Sequence, residues 1–210
     1  MRKKLGILFM LLGMMLVLGA AALLVSNRQE DQLAQKHSRD VIPTLQEQIR
    51  QVQQTAPSET VPQITENIPA EYLNQEDLIM TEKTINGYAY IGYLAISDLG
   101  LELPVMSDWN SRRLQMSPCR YTGSVKGENL VVMAHNYNSH FGRLSKLPVG
   151  AQVQFMDMDG QLWNYQVVVI DILPAEAVEE MTAGEFDLTL FTCDTNRTHR
   201  VTVRCNMIEE

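Results

Sequence analysis

Residues 5–27 form a run of 23 residues without a charged side chain, and Arg2, Lys3 and Lys4 stand directly before it. No other feature constrains the fold as strongly. A helix of ~20 apolar residues spans a ~30 Å hydrocarbon core, so this run is long enough to cross a membrane with some tilt. Basic residues stay on the cytoplasmic side, which predicts a cytoplasmic N-terminus and places everything after residue 27 outside. The small residues Gly19-Ala20-Ala21-Ala22 also fit a cleaved secretory signal. Leu23-Leu24-Val25 carry the apolar run past those alanines, beyond the ~7–15 residues of a signal core, and this favours an uncleaved anchor. Either route delivers the rest of the chain out of the cytoplasm.

The part beyond the anchor is acidic. Of 17 Lys and Arg, three precede the run, leaving 14 against 25 Asp and Glu, or −11. Phosphate binding depends on Lys and Arg displacing counterions, so nucleic acid is excluded as the leading partner. The 210 residues allow one ordinary domain plus attachments. Four intervals emerge: 1–27, a basic end and membrane anchor; 28–54, a helical stalk; 55–85, a Pro-containing polar linker; and 86–210, the folded domain. In the stalk, Ile42, Leu45, Ile49 and Val52 fall at helical spacing. Four stripe positions are too few for a coiled coil, so the stripe is expected to pack on the domain. Pro43 is expected to end one helix near Val41 and begin a second.

Within 86–210 the texture is that of short strands between turns. Residues 88–96, 101–106, 129–135, 152–158, 161–173, 188–193 and 200–205 read as strands, and Asp159-Gly160 is a strong hairpin signal. Residues 112–116 read as a short helix. Few strong helices interrupt the pattern, which predicts a mainly β domain, a barrel.

Three cysteines and four histidines are the candidates for chemistry. Cys193 closes the strand over 188–193 and His135 closes the apolar run over 129–135, so both stand at strand ends. Free cysteine is among the most buried residue types, and by composition alone a packed Cys193 is favoured. His140 in its loop and His37 in the stalk are expected to be solvated. Alternation over 200–205 puts Val201, Val203 and Cys205 on the core face and Arg200, Thr202 and Arg204 on the opposite one. Together a cysteine, a histidine and an arginine at strand ends can supply nucleophile, acid–base and oxyanion partner. No C-x-x-C pair supports a zinc site, and no G-x-S-x-G elbow, P-loop or dinucleotide fingerprint occurs. Asp157, Asp159, Glu176, Glu179 and Glu180 could hold calcium outside the cell, but no twelve-residue calcium loop frames them. A solvated acidic face is the expectation, and no cofactor is required.

Thr189-Leu190-Phe191-Thr192-Cys193 resembles the T-L-x-T-C signature of the sortases, the cysteine transpeptidases of Gram-positive cell surfaces. The segments Tyr90-Ile91-Gly92-Tyr93-Leu94-Ala95-Ile96 and Leu101-Glu102-Leu103-Pro104-Val105 resemble the family's opening strands. Ala134-His135-Asn136 resembles its histidine segment, and Arg200, seven residues after Cys193, its arginine. The likeness covers about residues 86–208. It implies a closed eight-stranded β-barrel with Cys193 as nucleophile, His135 as general acid and base, and Arg200 as stabiliser of the oxyanion or the substrate backbone. Thr192 and the backbone after Cys193 are further candidate donors. The substrate implied is a sorting-signal peptide, LPXTG-like, of a secreted surface protein. The acceptor implied is an amine of peptidoglycan or a pilin lysine.

The Ala134-His135-Asn136 context and the long stalk resemble class B, although residues 174–187 are short for that class's inserted helix. Thr198-His199-Arg200 resembles class C, whose D-P-W or D-P-F lid motif is absent from residues 55–87. An oxidising compartment allows a Cys119–Cys205 disulfide. Other cell-wall cysteine enzymes fit less well: papain-like enzymes place Cys before His, and no S-H-G-x-x-[NR]-like stretch surrounds a cysteine. The non-enzymatic alternative is an inactive, membrane-anchored binding or sensor ectodomain.

Overall fold

The computed structural model describes residues 2–55, 79–183 and 185–208. Helix α1 (Arg2–Thr55) carries both the apolar run and the stalk. Among the described residues it is the one helix long and apolar enough to cross a membrane. Side chains such as Phe9, Leu16 and Val25 point away from the rest of the chain, as a lipid-facing surface requires.

The break expected at Pro43 does not occur; α1 runs through it. Proline removes the bond to the carbonyl four residues back. That carbonyl belongs to Arg39, and both Arg39 and Pro43 lie on the exposed side, where water can satisfy it. The other side holds the helix in place. Val41, Leu45 and Ile49 are buried against Tyr90, Met106, Cys119 and Met158 of the domain. Val52, the last stripe position, is half-buried.

Nine strands follow: β1 (Lys83–Ile85), β2 (Tyr88–Ile96), β3 (Leu101–Met106), β4 (Cys119–Thr122), β5 (Leu130–Met133), β6 (Gln152–Asp157), β7 (Leu162–Pro174), β8 (Leu188–Cys193) and β9 (His199–Met207). Short helices α2 (Ser111–Leu114) and α3 (Val178–Thr182) interrupt them. The sheet runs β1-β2-β3-β4-β5-β8-β9-β7-β6, and β6 returns to pair with β2. Eight strands, β2 to β9, therefore form a closed barrel, with β1 an added hairpin strand. Closure removes the exposed sheet edges that would otherwise invite pairing with other chains.

Gly92 shows how tightly the seam is drawn. It sits at a φ of 147°, in a register shift of the β2–β3 ladder, and a Cβ there would lie 2.1 Å from the Met156 carbonyl oxygen of β6. The lumen is filled by Leu94, Leu103, Val132, Phe155, Leu190 and Val203 among others.

Several expectations are corrected. The first strand begins at Lys83, inside the interval read as linker; residues 56–78 of that interval lie outside those described. Cys119 and Cys205 are both free thiols. Cys119 is on β4 and Cys205 on β9, with β5 and β8 between them. Three strand spacings of ~4.8 Å far exceed the ~7 Å limit on Cα separation in a disulfide. Thr202 and Arg204, assigned to the outer face of β9, are buried rather than solvated. The connection carrying α3 folds over that face: Arg204 donates to the Met181 carbonyl at 2.8 Å and lies 5.3 Å over the Phe186 ring. The acidic group is not one solvated face either. Asp157 is buried and caps the hairpin, accepting from the Asp159 and Gln161 backbone and from Trp163 Nε1. Among the described residues no group of three or more His, Cys, Asp or Glu is arranged to hold a metal ion.

Candidate active site

Strand β8 lies between β5, parallel to it, and β9, antiparallel to it. The β5–β8 register pairs Val132 with Leu190 and Met133 with Phe191. Two further bonds extend it: Ala134 N donates to the Phe191 carbonyl at 3.2 Å, and the Thr192 hydroxyl to the Ala134 carbonyl at 2.8 Å. Two residues beyond the Met133–Phe191 pair, His135 and Cys193 stand level at the rim. On the other side, Cys193 pairs directly with Arg200. Directly paired residues share a face, and residues two apart on a strand share a face. Cys193 and Arg200 thus share a face on the adjacent strands β8 and β9, ~4.8 Å apart, and His135 follows two residues after the end of β5, next to Ala134, which bonds to Phe191 and Thr192. His135, Cys193 and Arg200 are all half-buried.

A tight loop returns the chain to put Arg200 there. Asp194 accepts from the backbone N–H groups of Thr198 at 2.9 Å and His199 at 3.2 Å, while Arg197 adopts a φ of 61°. Arg200 forms no ion pair among the described residues; its guanidinium donates to the His199 carbonyl at 3.4 Å. Thr192, considered as an oxyanion donor, is buried with its hydroxyl committed to Ala134.

His135 faces a pocket of about 490 Å³ shared with Leu24, Arg28, Glu30, Tyr137 and Arg197. Burial lowers its pKa and the nearby Arg197 lowers it further, while Glu30 opposes them. A larger cavity of about 740 Å³ lies between α1 and β3, around Arg39, Glu102 and Arg143, and holds none of the three rim residues.

The outer face leading to Cys193 is aromatic. Phe191, two residues before Cys193, meets Tyr121 edge-on at 5.4 Å, and Tyr121 stacks on the exposed Trp109 at 5.8 Å. Neither Trp109 nor Tyr121 stood out in the sequence, because each gains its meaning from β4 lying beside β5. The other histidines depart from expectation. His140 is fully buried, and among the described residues neither ring nitrogen has a partner. His37 is half-buried, with its Nε2 sharing a hydrogen bond of 2.9 Å with the Tyr90 hydroxyl.

These features define a closed β-barrel protein with a thiol, an imidazole and a guanidinium at one rim. A family model described as the Sortase domain matches residues 94–208, more than half the chain. The chain belongs to the sortase family, which is a family of cysteine transpeptidases. No curated protein sequence matches. Among solved structures it is similar to sortase A from Corynebacterium diphtheriae, with 18% identity, a TM-score of 0.54, and coverage of 59% of this chain and 62% of that one. The match thus spans less than two thirds of the Corynebacterium chain. It is also similar to sortase C1 of Streptococcus agalactiae, with 26% identity, a TM-score of 0.52, and coverage of 58% and 68%. A third similar structure is a sortase D5 transpeptidase of Clostridium perfringens, with 18% identity, a TM-score of 0.52, and coverage of 60% and 83%.

Proposed function

We propose that the chain is a cysteine transpeptidase anchored by α1, with its N-terminus in the cytoplasm and its barrel outside the cell. The substrate is a sorting-signal peptide of a secreted protein, LPXTG-like, and the acceptor is an amine of peptidoglycan or a pilin lysine. The observation that supports this reading is the direct pairing of Cys193 with Arg200 on β8 and β9, with His135 two residues beyond the neighbouring β5.

The thiolate is the reactive form of cysteine, and Cys193 as thiolate attacks the scissile carbonyl carbon. The tetrahedral intermediate that forms carries an oxyanion. Arg200, a neighbour on the same face with no carboxylate partner among the described residues, donates to that oxygen or to the adjacent substrate backbone. His135 as imidazolium gives its proton to the departing amine, the C–N bond breaks, and a thioester to Cys193 remains. The incoming amine attacks the thioester and loses a proton to His135. Collapse forms the new amide and regenerates the Cys193 thiolate. Because burial and Arg197 lower the His135 pKa, the imidazolium form is the minority at neutral pH. Trp109 and the half-buried Tyr121, backed by the buried Phe191, give the peptide an apolar floor near Cys193.

The test incubates the full chain in detergent micelles with an L-P-x-T-G peptide library and an amine acceptor, alongside Cys193→Ala. Mass spectrometry is expected to find an acyl adduct on Cys193 and a ligated product, both absent from the variant. No Cys193-dependent adduct with that library, or with an N-P-x-T-x library, would overturn the reading.

A further inference from the structure

After His135 the chain makes a compact loop. His140 N and Gly142 N both donate to the Tyr137 carbonyl, at 3.0 and 2.9 Å, and Phe141 N donates to the His135 carbonyl at 3.2 Å. Phe141 seats the loop in the barrel core and Asn136 donates to the Asp194 carbonyl, while the loop's outer side is tied to α1. The Tyr137 hydroxyl donates to Glu30 Oε2 at 3.1 Å. Ser139 N donates to Asp31 Oδ1 at 2.9 Å, and the Ser139 hydroxyl reaches both the Asp31 carboxylate and its carbonyl. The Tyr137 ring lies 4.9 Å from the His135 ring and 5.5 Å from the buried His140 ring, between centroids.

We propose that Glu30 and Asp31, in the first helical turn beyond the apolar run, are positioning residues for His135: they clasp its loop through Tyr137 and Ser139, making the anchor helix a working part of the site. The inference rests on the acid–base role proposed for His135. A proton donor must stand within hydrogen-bond reach of the leaving amine, and displacing a reacting group by ~1 Å can cost ~10²-fold in rate. His135 lies two residues beyond the short strand β5, so its position depends on what holds the loop it opens.

The same carboxylate acts on the proton. The charged and titratable groups facing His135 are Arg28, Glu30 and Asp31 from α1, Tyr137 and His140 from its own loop, and Arg197 from the β8–β9 loop. Glu30 favours the imidazolium while Arg197 disfavours it. The two contributions of Glu30 are separable. Glu30→Gln keeps an oxygen that can accept from Tyr137 but removes the charge. Glu30→Ala removes both, and Tyr137→Phe keeps the ring beside His135 but removes the tie.

The experiment uses the full chain in detergent micelles, with kcat and KM for the sorting peptide measured against pH. In parallel, the His135 ring is titrated by NMR, assigned through His135→Gln. Glu30→Ala, Asp31→Ala and Tyr137→Phe are expected to lower kcat ~10–100-fold with KM within about twofold. Glu30→Gln is expected to move the His135 titration to lower pH, because a charge favouring the imidazolium is gone, and to lower kcat at neutral pH with the loss recovered as pH falls, unlike Glu30→Ala. Unchanged kcat and unchanged His135 titration in Glu30→Ala and Tyr137→Phe would overturn the clasp. If Glu30→Ala does not fold, Glu30→Gln and Tyr137→Phe decide. Absence of any Cys193-dependent turnover would defeat the proposed function instead, and the NMR titration alone would then decide the clasp.

Discussion

Arg200 owes its place to a single antiparallel pairing, with Cys193 across from it and no carboxylate neutralising it among the described residues. Removing one donor aimed at an oxyanion typically costs ~10²–10³-fold in rate. Arg200→Gln is therefore expected to slow Cys193 acylation by about that factor in single-turnover mass spectrometry, leaving the melting temperature near wild type because the side chain is half-buried at the rim. A second residue acts through space rather than charge. A Cβ on Gly142 would stand 2.4 Å from the Asn136 carbonyl oxygen, so Gly142→Ala must push the backbone that follows His135. Its expected signature is a fall in kcat with Cys193 still alkylated at the wild-type rate by iodoacetamide. The three rim residues were each visible in the sequence as strand-end polar residues. Their assembly was not, because His135 and Cys193 are 58 residues apart and meet through a parallel pairing that no local pattern encodes. Composition even favoured a packed Cys193. The T-L-x-T-C resemblance, not the physics of the strand, singled it out.

At the scale of elements, alternation and turns marked most of the strands. They missed β4, four residues with Arg120 and Tyr121 half-buried, joined to β3 by a single parallel pair. They also gave the wrong environment to one face of β9, since its cover is a separate segment. Arg204 is the pin that holds that cover: it is 3% exposed and donates to the carbonyls of Met181 and Glu180 and to the Thr189 hydroxyl. Asp171 lies 3.7 Å from its Nε. Replacing it with methionine fills similar volume but strands two carbonyls beneath α3. A buried group left without its partner costs roughly 1–3 kcal/mol. Arg204→Met is expected to raise amide hydrogen exchange over residues 178–188 while leaving β2, β3 and β6 protected. Uniform loosening across the barrel would show instead that Arg204 supports the whole fold. Pro43 carries the converse lesson. Read alone it breaks a helix, but buried Val41, Leu45 and Ile49 hold α1 continuous against the barrel, so tertiary packing overrode a strong local signal.

Taken whole, the molecule is a barrel docked against the second half of its long N-terminal helix. Beyond the apolar run, α1 is tied to the domain by Glu30 and Asp31, by His37 with Tyr90, and by Gln53 on the Gly160 carbonyl. This docking buries imidazoles that would otherwise be solvated, and it sets how the fold responds to acid. Burial lowers the pKa of His140 to about 4, with His135 lowering it further and Asp31 opposing. His37 and His135 shift in the same direction, burial again being the largest cause. Between about pH 4 and the ordinary value of about 6.5, the unfolded chain therefore binds protons that the folded chain excludes. Stability from these neutral imidazoles is complete above pH ~6.5 and is lost as pH falls through that window. The His140 shift corresponds to roughly 3 kcal/mol at most, and for a chain of this size each kcal/mol moves Tm by about 2–4 °C. Tryptophan fluorescence melts of the full chain in micelles should thus show Tm dropping by several degrees from pH 7.5 to 4.5. His140→Phe keeps a flat ring of similar size and removes the proton. It is expected to flatten that drop, since burial holds the His140 pKa down at about 4, by the linkage between shift and stability. Parallel loss of Tm in wild type and variant would assign the acid sensitivity to other groups.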